Sequence, residues 1–239
     1  MIDAKNKVAM ISGANRGIGL AIAKKLYDSG FRLSLGSRNI NDLVKLNENW
    51  DKNKVFFHKF DALDKSTHQS WIQNTQENFG QIDCLVNNAG IMESVSVDDE
   101  KDNEEALDKM WAVNVKAPLS LTRLAFPYLR KSGTGRVINV ASLAGKAVYG
   151  SSVGYSMTKF AAVALSHATR QGGWKYGIRC TAICPGYVAT DLTKNVQSVE
   201  LSDMITADDL AELVKTVVLL SNTASVAELV VNCRPDVVA

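Results

Sequence analysis

The 239-residue sequence predicts an α/β fold in which seven parallel strands form one doubly wound sheet with helices on both faces. Three observations carry that expectation. Short apolar runs alternate along the chain with longer segments of helical periodicity. The first of these runs leads at once into a glycine-rich turn and a helix. Residues with chemistry to offer recur just after the runs, at positions such a sheet gathers along one edge.

Val8 to Ser12 is the first strand, followed by Gly13-Ala14-Asn15-Arg16-Gly17-Ile18-Gly19 and a helical pattern through Ala23 and Leu26. Glycine lets a backbone approach a ligand closely, and the helix N-terminus offers unpaired N–H groups to an anion. The spacing G-x-x-x-G-x-G is a variant of the dinucleotide fingerprint. Phe31 to Gly36 reads as the second strand, Ile40 to Trp50 as a helix, Val55 to Phe60 as a strand and Ser66 to Asn78 as a helix. Ile82 to Asn87 is strand, Ala106 to Arg130 a long helix, and Arg136 to Ala141 strand again. A helix from Val153 to Trp174 carries the apolar run Val163, Ala164 and Leu165; strand Ile178 to Cys184, helix Ala207 to Leu220 and strand Glu228 to Val231 follow. No Pro/Ser-rich linker, repeat or low-complexity tract divides the chain, so residues 1–239 read as a single domain. The acidic stretch Asp98 to Glu105 reads as an exposed loop or helix start without chemistry, and Gly172-Gly173-Trp174 has no explanation in the sequence.

A net charge of +2 with no lysine or arginine block excludes a basic nucleic-acid surface. Cys84, Cys180, Cys184 and Cys233 are too scattered for a disulfide framework and read as reduced thiols. His58, His68 and His167 form no metal-like cluster, so no metal is expected. No apolar run approaches membrane-spanning length, and the polar start enters the first strand without a signal-peptide core. A cytoplasmic location follows as the expectation.

Gly13, Ser37, Asp61, Asn88, Ser142 and Pro185 each fall just after a predicted strand, the edge where such sheets bind ligands. At the end of the second strand an acid would hydrogen-bond a ribose 2′-hydroxyl and select NAD, whereas arginine accommodates a 2′-phosphate. Ser37 is no acid, and Arg38 and Arg16 supply two guanidinium groups, each able to make charge-assisted bonds to phosphate. NADP(H) is therefore expected over NAD(H). Tyr155 and Lys159 stand four apart in a predicted helix, one above the other on one face. An ammonium about 4 Å from a phenol, at an effective dielectric near 20, interacts with its anion by roughly 4 kcal/mol and favours the phenolate. Alone, such a pair is more often structural than catalytic.

Together these residues resemble the short-chain dehydrogenase/reductase family in its single-domain Rossmann-type form, over nearly the whole chain and in the family's order. Ser12 to Gly19 looks like its cofactor turn, Asp61 its adenine-binding acid, Asn87-Asn88-Ala89-Gly90 its characteristic sequence after the fourth strand, and Pro185-Gly186 with Thr190 its nicotinamide segment. The resemblance implies cofactor contacts at Gly13, Asn15, Arg16, Gly17, Ile18, Gly19, Ser37, Arg38, Asp61, Ala62, Asn88, Ala89, Gly90, Tyr155, Lys159, Pro185, Gly186, Val188 and Thr190. It implies a catalytic group of Asn114, Ser142, Tyr155 and Lys159. Tyr155 would exchange a proton with the carbonyl or alcohol oxygen, Ser142 would orient that oxygen, Lys159 would lower the tyrosine's proton affinity and bind the ribose, and Asn114 would hold a relay water. The implied reaction moves a hydride between nicotinamide and a ketone, aldehyde or secondary alcohol.

Departures from the family pattern are Ser12 for the usual threonine, a short substrate lid at about 191–206, and no glycine pair after the last strand. Met92, Glu93, Leu143, Ala144, Tyr149 and Tyr187 are the expected substrate lining, mixed apolar and aromatic. A 3-oxoacyl-carrier-protein reductase is the alternative enzyme, and a non-catalytic dinucleotide sensor or scaffold the alternative from another class. A homodimer or homotetramer through the two long helices is expected, with a small-molecule partner and neither nucleic acid nor membrane.

Overall fold

Every strand of the sheet runs in the same direction. The computed structural model describes residues 1–235 apart from 47, 101 and 150. Strands β1 (Val8–Ser12), β2 (Arg32–Ser37), β3 (Val55–Lys59), β4 (Cys84–Asn87), β5 (Arg136–Val140), β6 (Arg179–Pro185) and β7 (Glu228–Val231) pair in parallel in the order β3-β2-β1-β4-β5-β6-β7. The intervening helices are α1 (Gly17–Asp28), α2 (Ile40–Leu46), α3 (Lys65–Phe79), α4 (Glu104–Trp111), α5 (Ala117–Ser132), α6 (Val153–Gly173) and α7 (Ala207–Leu219). From β1 the chain moves outward to β2 and β3, then returns past β1 to β4. That reversal opens a crevice beyond the carboxyl ends of β1 and β4, the usual ligand position in such sheets.

Burial on both faces explains the near-continuous apolar strands. Ala9 and Ile11 of β1 pack with α1 and α7, while Met10 faces Trp71 of α3 and Leu121 of α5. The same alternation places Cys84 and Val86 on the first side and Leu85 on the second. Two of the helices start where the sequence supplies a cap. Asp64 accepts the Ser66 backbone N–H at 2.9 Å to open α3, and Thr206 Oγ1 accepts that of Asp209 at 3.0 Å to open α7. Glu104 and Glu105 lie in the first turn of α4, where acids favour the helix dipole, so the acidic stretch is loop and then helix start.

Some boundaries differ from those expected. The predicted helix Ile40 to Trp50 ends at Leu46, with residue 47 outside the described residues; Trp50 instead stacks on Tyr27, ring centroids 4.4 Å apart and nearly coplanar. The long helix expected from Ala106 to Arg130 runs from Glu104 to Ser132 and is interrupted by a π-helical turn at Ala112–Lys116. The Val153 helix passes into a 3-10 turn at Trp174–Tyr176. Gly173 acquires a reason: a Cβ there would lie 2.7 Å from Ile178 Cβ, so only glycine lets α6 end against β6. Trp174 lies under two guanidinium groups, Arg179 at 3.7 Å and Arg170 at 4.9 Å from its ring centroid.

Candidate functional site

A cavity of about 660 Å³ occupies the crevice, and its floor is the turn after β1. Gly13 (φ +65°) and Gly17 (φ +51°) hold left-handed conformations that favour glycine. Gly19 is needed for proximity: a Cβ there would lie 2.3 Å from the Gly13 carbonyl oxygen. The turn is fastened to β4 from both sides. Ser12 Oγ accepts the backbone N–H groups of Asn88 (2.9 Å) and Ala89 (3.0 Å), and Asn88 Nδ2 donates to the carbonyls of Ser12 (2.9 Å) and Gly13 (3.1 Å). Ser12 thus retains the fastening hydroxyl. Helix α1 begins here with no side-chain cap and no acid in its first turn, leaving its first N–H groups directed at the cavity. That cradle fits the phosphates of a dinucleotide.

At one end of the cavity lie Ser37, Arg38, Asp61 and Ala62. Ser37 Oγ is turned to the Asn39 carbonyl at 2.6 Å, and Asp61 Oδ1 accepts the Leu63 N–H at 3.0 Å, leaving its second oxygen open. Asp42, in the first turn of α2, lines the same end and accepts from Asn39 Nδ2 at 3.0 Å. Arg16 is engaged elsewhere: its Nη1 donates to Asp191 Oδ2 at 2.9 Å, joining the glycine turn to the lid.

At the other end are Ser142, Tyr155 and Lys159. Tyr155 and Lys159 occupy successive turns at the start of α6, with the lysine Nζ 5.4 Å from the tyrosine ring centroid. Lys159 is buried and donates to the Val140 carbonyl at 3.0 Å, which fixes its ammonium at the end of β5. Ser142 follows β5 and caps the short turn Leu143–Gly145, its Oγ accepting the Ala144 N–H at 3.1 Å. With that oxygen occupied as an acceptor, the hydroxyl proton is free to donate into the cavity.

Asn114 is placed differently from the other three. It sits in the π-helical turn, behind the cavity wall and 4% exposed. Its Nδ2 donates to the Ile91 carbonyl (2.9 Å) and Thr158 Oγ1 (3.0 Å), and its Oδ1 accepts the Ile91 N–H (2.9 Å). Gly90 separates it from Lys159: a Cβ there would be 3.4 Å from Asn114 Oδ1 and 3.7 Å from Lys159 Nζ. Both amide donors are committed, so a bound water would rely on the remaining Oδ1 lone pair or on the Asn114 backbone.

Of the cofactor contacts expected from sequence, all line the cavity except Gly19, which supports it from beneath. The six expected substrate residues do not line it. Met92 and Tyr149 are exposed, Glu93 pairs with Lys109 at 3.0 Å, and Leu143 is buried against Gly186. Ala144 spends its N–H on Ser142, and the Tyr187 carbonyl accepts from Ile205 at 3.0 Å. Conversely, Lys109, Asp42, Asp191 and Lys194 line the cavity without having been expected. Lys109 stands five residues before Asn114, about 140° round a helix from it, so its spacing offered no signal. Among the described residues no group of three or more His, Cys, Asp or Glu could hold a metal ion, and no helix is long and apolar enough to cross a membrane.

The sequence model of the family described as short chain dehydrogenase matches residues 7–201. Agropine synthesis reductase of Rhizobium rhizogenes is 38% identical over 235 residues, 97% of this chain and 54% of that protein, so the chain spans about half the length of that relative. An uncharacterized oxidoreductase of Staphylococcus saprophyticus is 34% identical over 220 residues, 91% of this chain and 87% of the relative. Among solved structures, an alcohol dehydrogenase from the archaeon Thermococcus sibiricus, complexed with 5-hydroxy-NADP, superposes with TM-score 0.84 at 28% identity over 94% of this chain and 95% of that one. A 3-ketoacyl-(acyl-carrier-protein) reductase from Brucella melitensis complexed with NADH reaches TM-score 0.87 at 23% identity over 96% and 98% of the two chains, a likeness of fold. With the glycine turn after β1, the Asn-Asn-Ala-Gly segment after β4 and the Tyr155–Lys159 pair meeting in one crevice of a Rossmann-type sheet, the chain belongs to the short-chain dehydrogenase family of oxidoreductases.

Proposed function

We propose that the chain is an NADP(H)-dependent reductase of a ketone or aldehyde, acting in reverse as a secondary-alcohol dehydrogenase, with Tyr155 as the proton donor and acceptor. The observation that supports it above others is that Ser142, Tyr155 and Lys159 open onto the same cavity as the phosphate cradle. When bound, the nicotinamide supplies or takes the hydride. The chain's own residues do the rest. Ser142 Oγ–H points a hydrogen bond at the carbonyl oxygen, and Tyr155 Oη delivers the proton as negative charge develops there. Lys159, anchored on Val140 beside the tyrosine ring, would hold the ribose hydroxyls when the cofactor is bound. Donors fixed in advance of the reaction are worth more than mobile ones because they need no reorganisation. Asn114 acts from behind the wall, tying the Ile91 loop to Thr158 of α6, the helix that carries Tyr155 and Lys159.

Preference for NADP(H) rests on Arg38 at the cavity end, the absence of an acid at Ser37, and the NADP-type ligand of the Thermococcus relative. The reductase name of the Rhizobium relative favours the reductive direction. A homodimer or homotetramer, cytoplasmic and acting on a small molecule, is part of the same reading; Leu119, Met157 and Phe160, exposed on α5 and α6, offer the apolar surface.

The test follows nicotinamide absorbance with NADPH and NADH in parallel against ketones, aldehydes and 3-oxoacyl thioesters. Turnover with NADPH that Tyr155→Phe lowers by about a thousandfold or more, with NADPH affinity nearly unchanged, is the expected result. Substantial activity in that variant would remove Tyr155 from the mechanism.

A further inference from the structure

Arg16 has one guanidinium group and two anions to claim it. One is Asp191, its partner at 2.9 Å. The other is the 2′-phosphate proposed to lie beside Arg38. We infer that Asp191 sets the strength of NADP(H) selection by competing with the 2′-phosphate for Arg16, and that the exchange unties the substrate lid. This inference rests on the NADP(H) reading above.

Four observations support the exchange. Arg16 and Asp191 line opposite walls of one cavity, the glycine turn and the lid, and lie 175 residues apart in the chain. Their side chains are 65% and 64% exposed, so the ion pair is of the weak, exchangeable kind. A phosphate monoester carries close to two charges and three strong acceptor oxygens, where the carboxylate carries one charge, so the guanidinium gains by changing partners. Among the described residues Arg38 has no ion-pair partner, so it is available to the phosphate unconditionally, while Arg16 Nη1 is available only when Asp191 yields it.

The lid is mechanically close to this exchange. Asp191 directly follows Thr190, whose Cγ2 would be 3.2 Å from a Cβ on Gly17. Releasing Asp191 therefore acts at the joint between turn and lid. The nearby charges do not duplicate the pair: Lys194 and Lys109 line the cavity as further cations, Asp42 is hydrogen-bonded by Asn39, and Asp61 by the Leu63 backbone. NAD(H) shares the diphosphate but has a 2′-hydroxyl in place of the 2′-phosphate, so it lacks the additional anion that would draw Arg16 from Asp191. Cofactor choice and lid position are in this way read by a single side chain.

The test compares adenosine 2′,5′-bisphosphate with AMP, which differ only in the 2′-phosphate. Dissociation constants are measured by calorimetry at low salt for the wild type, Asp191→Asn, Arg16→Ala, the double variant and Arg38→Ala. The 2′-phosphate preference, the ratio of the two constants, should rise about two- to fivefold in Asp191→Asn, the range an exposed ion pair covers. No such rise should accompany the same substitution in the Arg16→Ala background. AMP affinity reports that each variant is folded. An unchanged or smaller ratio in Asp191→Asn, or an equal rise without Arg16, overturns the exchange while leaving NADP(H) selection intact. A wild-type ratio near one that Arg38→Ala does not alter overturns the NADP(H) reading, and this inference with it.

Discussion

Gly145 stands so close to Lys159 that a Cβ on it would lie 2.5 Å from the lysine carbonyl oxygen. The turn bearing Ser142 and the helix bearing Tyr155 and Lys159 therefore meet backbone to backbone. Gly145→Ala must push the two apart, because the obstacle is main chain and cannot rotate away. A destabilisation of about 1–3 kcal/mol is expected from such overpacking. Turnover should fall further than stability accounts for, with cofactor affinity nearly preserved. Thermal melting and turnover measured on the same preparation would check this, and a fully active variant would show that the Ser142 turn needs no such contact.

Arg38→Ala should weaken NADPH much more than NADH, by tenfold or more, the worth of a charge-assisted phosphate contact at about 1.5–3 kcal/mol. Fluorescence titration with both nucleotides reads the ratio directly. Equal losses would place Arg38 outside the 2′-phosphate contact.

Glu228 on β7 grips two elements at once, Lys146 just after the Ser142 turn and His167 on α6, each at 2.6 Å. Lys146 chiefly, together with His167, holds the Glu228 carboxyl below its ordinary value of 4.5, against a smaller opposing effect of burial. A depressed carboxylate contributes stability that is fully present above pH 4.5 and is lost as pH falls through the lower value of the folded state. Glu228→Gln should melt about 2–4 °C lower at neutral pH, the shift for roughly 1 kcal/mol at this chain length. The deficit should narrow in acid below 4.5, and a deficit independent of pH would mean that the ion pairs carry none of the effect.

Thiol reactivity should divide the cysteines sharply. Burial pushes Cys84 and Cys180 up to about 12 and Cys184 up to about 11. Cys233 is only partly buried. A thiol reagent at pH 8 should label Cys233 rapidly in the native protein and all four cysteines only after denaturation. Rapid native labelling of Cys184, which lies near Lys159, would reveal opening of the catalytic wall.

The strands and the cofactor turn were legible because their causes are local: apolar runs buried on two faces, and glycines where φ is positive or a backbone crosses at close range. The pairing of Tyr155 and Lys159 on one face of α6 was legible for the same reason, since helical spacing alone brings them together. Trp50 shows where this stops. Its helical pattern was genuine, but stacking on Tyr27 outweighed helix continuation, and no local signal announces a partner 23 residues upstream. The π-helical turn at Asn114 was hidden because its side-chain partners, Ile91 and Thr158, come from a loop and a distant helix. Arg16 was assigned to phosphate from position alone, and its link to Asp191 depends on how the lid folds back. The six expected substrate residues were chosen as a mixed apolar and aromatic lining, and composition of that kind does not say which residues border the cavity that the cofactor turn and α6 enclose.

The lid's two stems are joined before it leaves the body of the protein. Ala189 donates to the Ile205 carbonyl at 2.9 Å, Ile205 donates to the Tyr187 carbonyl at 3.0 Å, and Thr193 Oγ1 returns to the carbonyls of Val188 and Thr190. A loop whose ends are already fastened can change length or composition at an entropic cost that grows only with the logarithm of its size. The segment between those stems is thus an exchangeable cassette. A loop grafted between Thr193 and Ile205 inherits a finished sheet and a finished α6, so under the proposed function substrate preference would be rewritten there without refolding the rest of the chain.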